Sequence, residues 1–173
     1  MTAKGHVLLA TNLAMQPAVY IWQIYDFNTA ILSFVVSIIS SLLPDIDEPK
    51  SYIGHKFWFL ADLLKLFGLK HRTLTHWLIT PLAIAIIGIM VNNNYLSLIL
   101  FSMAFGILAH DVGDMLTKGG IYGFFFPFFP NTRIVLLPNF LLFKTFSTTE
   151  MIINLFLFIS IPVQGYFIYA TKI

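Results

Sequence analysis

Two histidines and an arginine, His71, Arg72 and His76, lie directly before a long apolar stretch and are the side chains best suited to chemistry. Imidazole is the commonest metal ligand near neutral pH, and a guanidinium binds phosphate through two parallel hydrogen bonds. Ionisable groups this close to a membrane segment are functional candidates by default. The alternative is that these side chains only extend to the membrane surface. We interpret the segment as part of a metal and phosphate site.

A second group of polar side chains closes another apolar stretch. His110 and Asp114 are four residues apart and therefore project from the same face of a helix. One imidazole and one carboxylate so placed can bind one cation, or two cations bridged by the carboxylate. Asp111 could join them as a ligand, or support His110 without binding the cation itself. The alternative is a polar helix end that pairs with lysines of the loops.

Two further candidates lie near other helix ends. Asp45 and Asp47 occupy a turn between Pro44 and Pro49, and the prolines reduce the freedom that the turn would lose on binding a cation. Read alone, this could be a charged turn outside the bilayer. His6 lies at the start of the first apolar stretch and is a weak candidate by itself.

The composition places the chain in a membrane. Of its 173 residues, 58% are hydrophobic and only 10% are charged, with phenylalanine present 18 times. Soluble domains carry about a quarter charged residues and cannot hide this much apolar surface. We therefore predict an all-α integral membrane protein that forms a single domain over residues 1–173. The net charge of +2 is small and dispersed, which argues against a nucleic-acid partner, and the absence of cysteine excludes thiolate sites.

Apolar length predicts about five transmembrane helices, with four as the lower count, because a span needs about 20 mostly apolar residues. Residues 57–69 read as a helix lying in the membrane interface. The proline- and phenylalanine-rich stretch 121–143 reads as interfacial or re-entrant, either as an aromatic anchor or as a wall for a lipid tail. The predicted spans are 6–24, 28–43, 77–92, 95–116 and 150–171.

The basic residues predict the orientation. With five spans, nine of the ten lysines and arginines fall on the N-terminal side, which the positive-inside rule makes cytoplasmic. The candidate histidines and aspartates then all fall on that side, although they come from four separate parts of the chain. We therefore expect them to form one site at the cytoplasmic membrane surface.

The ligand types predict the cofactor. A mixed histidine and aspartate set without cysteine suits zinc, manganese or iron, and suits magnesium or calcium poorly. We expect a divalent metal, with zinc favoured, and up to two or three ions. Such a centre commonly activates water for attack on a phosphoryl or acyl group. No sequence pattern for a serine or cysteine nucleophile or for a glycine-rich phosphate loop is present.

Four ordered motifs also resemble a known family. They begin at Met1, Leu42, His71 and His110, and read MTAxGH, LLPDIDxPKS, HRxxTH and HxxxDMLT. Together they resemble the YdjM family of inner-membrane proteins, which are regarded as metal-dependent hydrolases and include LexA-regulated bacterial members. Asp111 and Glu48 depart from the family pattern. The order of the motifs is also similar to that of zinc-dependent phospholipases C.

The resemblance implies which residues bind metal, and the positions match those found above. Carried over residue by residue, the implied ligands are His6, Asp45, His71 or His76, His110 and Asp114.

We predict a metal-dependent hydrolase that cleaves a phosphoester in a lipid or lipid-linked substrate. Arg72 would hold the substrate phosphate and stabilise the charge that develops in the transition state. His71 and Asp47 would be further metal ligands or supporting partners of the ligands, and Asp47 could instead act as general base on a metal-bound water. The membrane lipid is thus both the environment and the expected substrate. The alternatives are a divalent-metal transporter and a metal-binding membrane protein without turnover.

Overall fold

The structure, a computed structural model, describes residues 1–66 and 74–170, with the side chain of Lys65 excepted. Across these residues the chain forms seven α-helices, two short 3₁₀ turns and one small hairpin. The 3₁₀ turns are Leu43–Asp47 and Leu74–His76, and the hairpin strands are β1 (Ile121–Tyr122) and β2 (Arg133–Ile134). The helices are α1 (Ala3–Ile24), α2 (Phe27–Ser40), α3 (Tyr52–Lys56), α4 (Trp58–Leu66), α5 (Ile79–Met90), α6 (Asn94–Met115) and α7 (Thr148–Ala170).

Three helical segments in the described part of the chain are long and apolar enough to cross a membrane. They are Phe27–Asp47, Asn94–Met115 and Thr148–Ala170, and the shorter α5 is also apolar. The other two predicted spans, 6–24 and 77–92, correspond to the helices α1 and α5. The chain is therefore an all-helical membrane protein, and the count of five spans stays a prediction.

Small residues bring α2 and α6 into close contact. A Cβ on Gly106 would lie 2.2 Å from the carbonyl oxygen of Ser37, so the backbones approach too closely for any side chain there. The Ser37 hydroxyl donates to the carbonyl oxygens of Ser33, at 2.9 Å, and Ser102, at 3.1 Å. Membrane helices associate through such small residues and interhelical hydrogen bonds, because lipid provides no hydrophobic drive between them.

A different polar contact joins α1 to α7. Asn12 Nδ2 donates to the carbonyl oxygen of Leu157 at 2.9 Å, and Gln164 Nε2 donates to Asn12 Oδ1 at 2.7 Å. Ser160 also donates its hydroxyl hydrogen to Asn12 Oδ1. Asn12, a polar residue within the first apolar stretch, thus holds its helix against the last one.

The stretch 121–143, which is predicted to be interfacial or re-entrant, has regular structure that the sequence did not indicate. It contains the antiparallel pair β1–β2, in which Ile121 lies opposite Ile134. Ile121 and Phe124 are buried against Met115 at the end of α6. Phe128 remains 80% exposed, as expected for an aromatic side chain at a membrane interface. The predicted interfacial helix 57–69 corresponds to α4, which is described as far as Leu66, and residues 67–69 lie outside the described part of the chain.

Glu150 in the first turn of α7 links the start of the chain to the start of this last helix. Its side chain is buried, and Oε1 accepts a hydrogen bond from the backbone N–H of Thr2 at 2.6 Å. Oε2 accepts one from the backbone N–H of Phe146 at 2.7 Å. Thr2 caps the N-terminus of α1, so this carboxylate fixes where α1 begins relative to α7.

We expect Glu150→Ala to destabilise the protein, because it leaves two N–H groups without their acceptor. Each such loss costs about 1–3 kcal/mol. Glu150→Gln keeps one oxygen as an acceptor and should cost about half as much. Thermal unfolding in detergent, with Thr149→Ala as the exposed neighbouring control, measures the difference. Equal melting temperatures for Glu150→Ala and Thr149→Ala would contradict this role.

Candidate metal centre

Five polar side chains converge at one end of the helix bundle. They come from the start of α1, from the 3₁₀ turn that follows α2, from the 3₁₀ turn that precedes α5, and from the end of α6. Four of them are buried, and the side chain of Asp45 is 17% exposed. The five are His6, Asp45, His76, His110 and Asp114.

Asp114 lies at the centre of this group. Its Oδ1 is 3.4 Å from His6 Nε2 and also contacts the amine of Met1. Its Oδ2 is 3.8 Å from His76 Nε2 and 4.0 Å from His110 Nε2. One carboxylate thus faces imidazoles from three separate segments of the chain.

Asp45 faces two of the same imidazoles from the other side. Its Oδ1 is 3.7 Å from His110 Nε2 and 3.8 Å from His76 Nε2. In a tetrahedral site with zinc–nitrogen bonds of about 2.0–2.1 Å, neighbouring ligand atoms are about 3.4 Å apart. The observed separations slightly exceed this value, and small side-chain movements would close the difference.

The tautomer of His110 is set by the backbone. Its Nδ1 is 2.7 Å from the carbonyl oxygen of Ser41, and a carbonyl oxygen can only accept. Nδ1 therefore carries the hydrogen, and in the neutral ring Nε2 presents a lone pair to the two carboxylates. This is the arrangement that orients histidine ligands in metal sites.

A similar argument applies to His76, through a side-chain relay. The hydroxyl of Thr75 donates to Asp47 Oδ2 at 2.6 Å and lies 3.0 Å from His76 Nδ1. Because its single hydrogen is given to the carboxylate, the hydroxyl accepts from Nδ1–H. In the neutral ring, His76 Nε2 then presents its lone pair to the centre of the candidate metal site, as His110 Nε2 does.

His6 completes the set by stacking on His110. The ring centroids are 3.6 Å apart and the planes differ by 7°. Gly113 permits this approach, since a Cβ there would lie 3.0 Å from His6 Nδ1. Within the described part of the chain, neither His6 Nδ1 nor His110 Nε2 has a hydrogen-bond partner, although both are buried.

The chemistry of these side chains fits a divalent metal. Buried polar atoms without partners are costly, and a cation would satisfy the imidazole nitrogens and neutralise the carboxylates together. The donor atoms form two overlapping triads whose members lie within 4.8 Å of one another. The triads are His6, Asp45 and His110, and His76, His110 and Asp114.

Asp111 is buried beside the group but belongs to neither triad. Only 1% of its surface is exposed, and among the described residues neither carboxylate oxygen has a hydrogen-bond partner. The sequence left open whether it joins the ligands or supports His110, and among the described residues it makes no hydrogen bond to the His110 ring.

The other predicted site residues are Asp47, His71 and Arg72. Asp47 is buried and contacts Thr75, which is the position of a supporting group behind His76. The role of Asp47 as general base stays a prediction. His71 and Arg72 lie outside the described residues.

Two supporting contacts were not found from the sequence. The contact with Ser41 uses its backbone carbonyl, which no sequence pattern reveals. The sequence showed only that Thr75 places a hydroxyl beside His76. The link from Thr75 to Asp47 joins positions 28 residues apart, so only the fold could reveal it.

Comparison with known proteins agrees with the motifs. The family model described as "YdjM inner membrane protein" matches residues 1–171. The Inner membrane protein YdjM of Escherichia coli is 32% identical over 132 residues, which is 70% of this chain and 63% of that protein, and the Shigella flexneri protein of the same name matches equally. The chain thus spans slightly less than two thirds of the length of these two relatives.

A relative with fuller coverage comes from Bacillus subtilis. Its Uncharacterized protein YvsG is 30% identical over 156 residues, covering 88% of this chain and 87% of that protein. No solved structure matches the chain. The family model covers nearly the whole sequence, and the chain belongs to the YdjM family of inner membrane proteins.

Proposed function

We propose that this protein is a membrane-embedded, metal-dependent hydrolase that cleaves a phosphoester in a lipid or lipid-linked substrate at the cytoplasmic membrane surface. One observation carries the proposal. Three imidazoles and two carboxylates from four segments of the chain converge at one end of the bundle, and Asp45 also lines a cavity that opens beside them.

The residues that would hold the metal are those of the two triads. Zinc suits the histidine and aspartate set, with manganese or iron as alternatives. When bound, such an ion polarises a phosphoryl oxygen and lowers the pKa of water. The rest of the chemistry depends on side chains of this chain.

Two roles follow for side chains outside the triads. Asp47 either orients His76 through Thr75, as its hydrogen bond supports, or removes a proton from the attacking water as general base. Arg72 would hold the substrate phosphate and stabilise the charge that develops in the transition state.

A divalent-metal transporter fits the structure less well. Transporters generally place their ion site near the middle of the bilayer, at broken helices. Here the candidate ligands gather at one end of the bundle, at the start of α1 and the end of α6. A metal-binding protein without turnover has the same site and is separated from a hydrolase only by an activity measurement.

Arg72→Ala is the variant that separates catalysis from metal binding. We expect hydrolysis of a phospholipid or lipid phosphate to fall by about 10²–10³-fold, the usual loss when one transition-state donor is removed. Bound metal should remain near the wild-type amount, and Lys56→Ala should change neither quantity.

The outcomes of this experiment are distinct. Unchanged turnover in Arg72→Ala would remove Arg72 from the mechanism. Wild-type protein that binds metal but hydrolyses no phosphoester in a broad lipid screen would overturn the hydrolase proposal and leave a metal-binding membrane protein.

A further inference from the structure

A cavity of about 800 Å³ opens beside the candidate metal centre, between the start of α1, the segment before α3 and the start of α7. This volume lies within the range of pockets that bind small molecules. Asp45 forms part of its wall, so a ligand in the cavity would reach the exposed edge of the centre.

Two lysines provide the positive charge of this cavity. Lys4 and Lys50 both line it and both are exposed. Among the described residues neither lysine forms a salt bridge with a carboxylate. Their ammonium groups are therefore available to an anion.

The nearby carboxylates are already engaged. Glu150 accepts hydrogen bonds from two backbone N–H groups, of Thr2 and Phe146. Glu48 Oε1 accepts one from the backbone N–H of Lys50 at 3.1 Å. Asp45 faces the imidazoles of the centre. These contacts occupy the carboxylates, and none of them involves a lysine ammonium group.

The side of the cavity next to α7 is apolar and exposed. Phe146 and Met151 line it, with 88% and 70% of their surfaces exposed. The backbone of Phe146 has a φ of 62°, which is uncommon for a residue other than glycine, and its N–H is held by Glu150. The fold therefore holds a large apolar side chain outward at this cavity.

We propose that the cavity binds the phosphate head of an anionic phospholipid from the membrane. Lys4 and Lys50 contact the phosphate, and Phe146 and Met151 contact the first part of the acyl chain. The inference rests on the proposed function, since it places a phosphoester beside Asp45. It adds the groups that select an anionic lipid.

A water-soluble phosphate would use the lysines but not the apolar side of the cavity. The two possible ligands, a membrane lipid and a water-soluble phosphate, are distinguished by comparing a short-chain phosphatidic acid with glycerol phosphate, which has the same head without acyl chains. Phosphatidylcholine of equal chain length tests whether the anionic head is required.

The experiment measures lipid binding to detergent-purified, chelator-treated protein by native mass spectrometry, so that hydrolysis does not interfere. We expect the double variant Lys4→Gln/Lys50→Gln to bind phosphatidic acid about tenfold more weakly, as for the loss of two charge-assisted contacts. Lys56→Gln/Lys118→Gln removes two exposed lysines that do not line the cavity and should bind as the wild type does. Phe146→Ala should weaken lipid binding and leave glycerol phosphate unaffected.

Equal losses in the two double variants would show a non-specific charge effect and overturn the proposal. Glycerol phosphate bound as tightly as phosphatidic acid would overturn the lipid assignment. Hydrolysis by metal-loaded Lys4→Gln/Lys50→Gln with an unchanged KM would also contradict this inference while the hydrolase stands. Lysine-dependent lipid binding without any hydrolysis by the wild type would leave this inference intact and overturn the hydrolase.

Discussion

Asp114→Asn is expected to lower metal affinity by at least about 100-fold and to reduce phosphoester hydrolysis accordingly. Groups that only support metal ligands typically contribute 10–100-fold, so removal of a central carboxylate should reach or exceed that range. The reason is geometric, since Asp114 faces His6, His76 and His110 at 3.4–4.0 Å. An amide removes the negative charge that balances the cation and replaces one acceptor oxygen with a donor.

The matched control is Asp62→Asn, which changes an exposed aspartate on α4. Metal affinity is measured by competition with a chromophoric chelator in detergent, and folding by thermal unfolding. The account requires Asp114→Asn to lose metal while Asp62→Asn retains it. An Asp114→Asn protein that binds metal as tightly as the wild type would remove this carboxylate from the site.

Thr75→Val is expected to weaken metal binding by about 10–100-fold, although Thr75 is not a proposed ligand. Valine keeps the shape of threonine but cannot accept from His76 Nδ1–H or donate to Asp47. His76 then loses the contact that fixes its tautomer, and the buried Asp47 loses the hydrogen-bond donor that Thr75 provides.

The control for this change is Thr149→Val, at an exposed position on α7. Asp47→Asn adds a second readout, because its remaining carbonyl oxygen can still accept from Thr75. If Asp47 only positions His76, Asp47→Asn retains most of the metal affinity and most of the turnover. If Asp47 is the general base, Asp47→Asn loses turnover with metal still bound. Full metal affinity in Thr75→Val would contradict the relay.

The convergence of the candidate ligands could be expected from the sequence because each lies at a helix end. His6 begins the first helix and Asp114 ends α6, and the alternation of apolar segments brings those ends to one side. The structure places them together, with His6 Nε2 3.4 Å from Asp114 Oδ1. Their action as metal ligands remains the prediction to be tested.

The supporting contacts could not be predicted because they depend on tertiary packing. Glu150 reaches Thr2 across 148 positions, and His110 reaches the Ser41 carbonyl across 69. A solitary glutamate at the start of an apolar helix was the only signal for the first contact, and a backbone carbonyl gives none. The same reason explains the missed hairpin, whose strands contain only two residues each.

The metal content of detergent-purified wild-type protein, measured by elemental mass spectrometry, tests the central claim most directly. We expect a stoichiometric divalent metal, zinc before manganese or iron, that is lost in both Asp114→Asn and Asp45→Asn. Because these aspartates lie 69 positions apart on separate segments, a shared loss would assign them to one centre. Folded wild-type protein that contains no metal and takes none up on reconstitution would contradict the account.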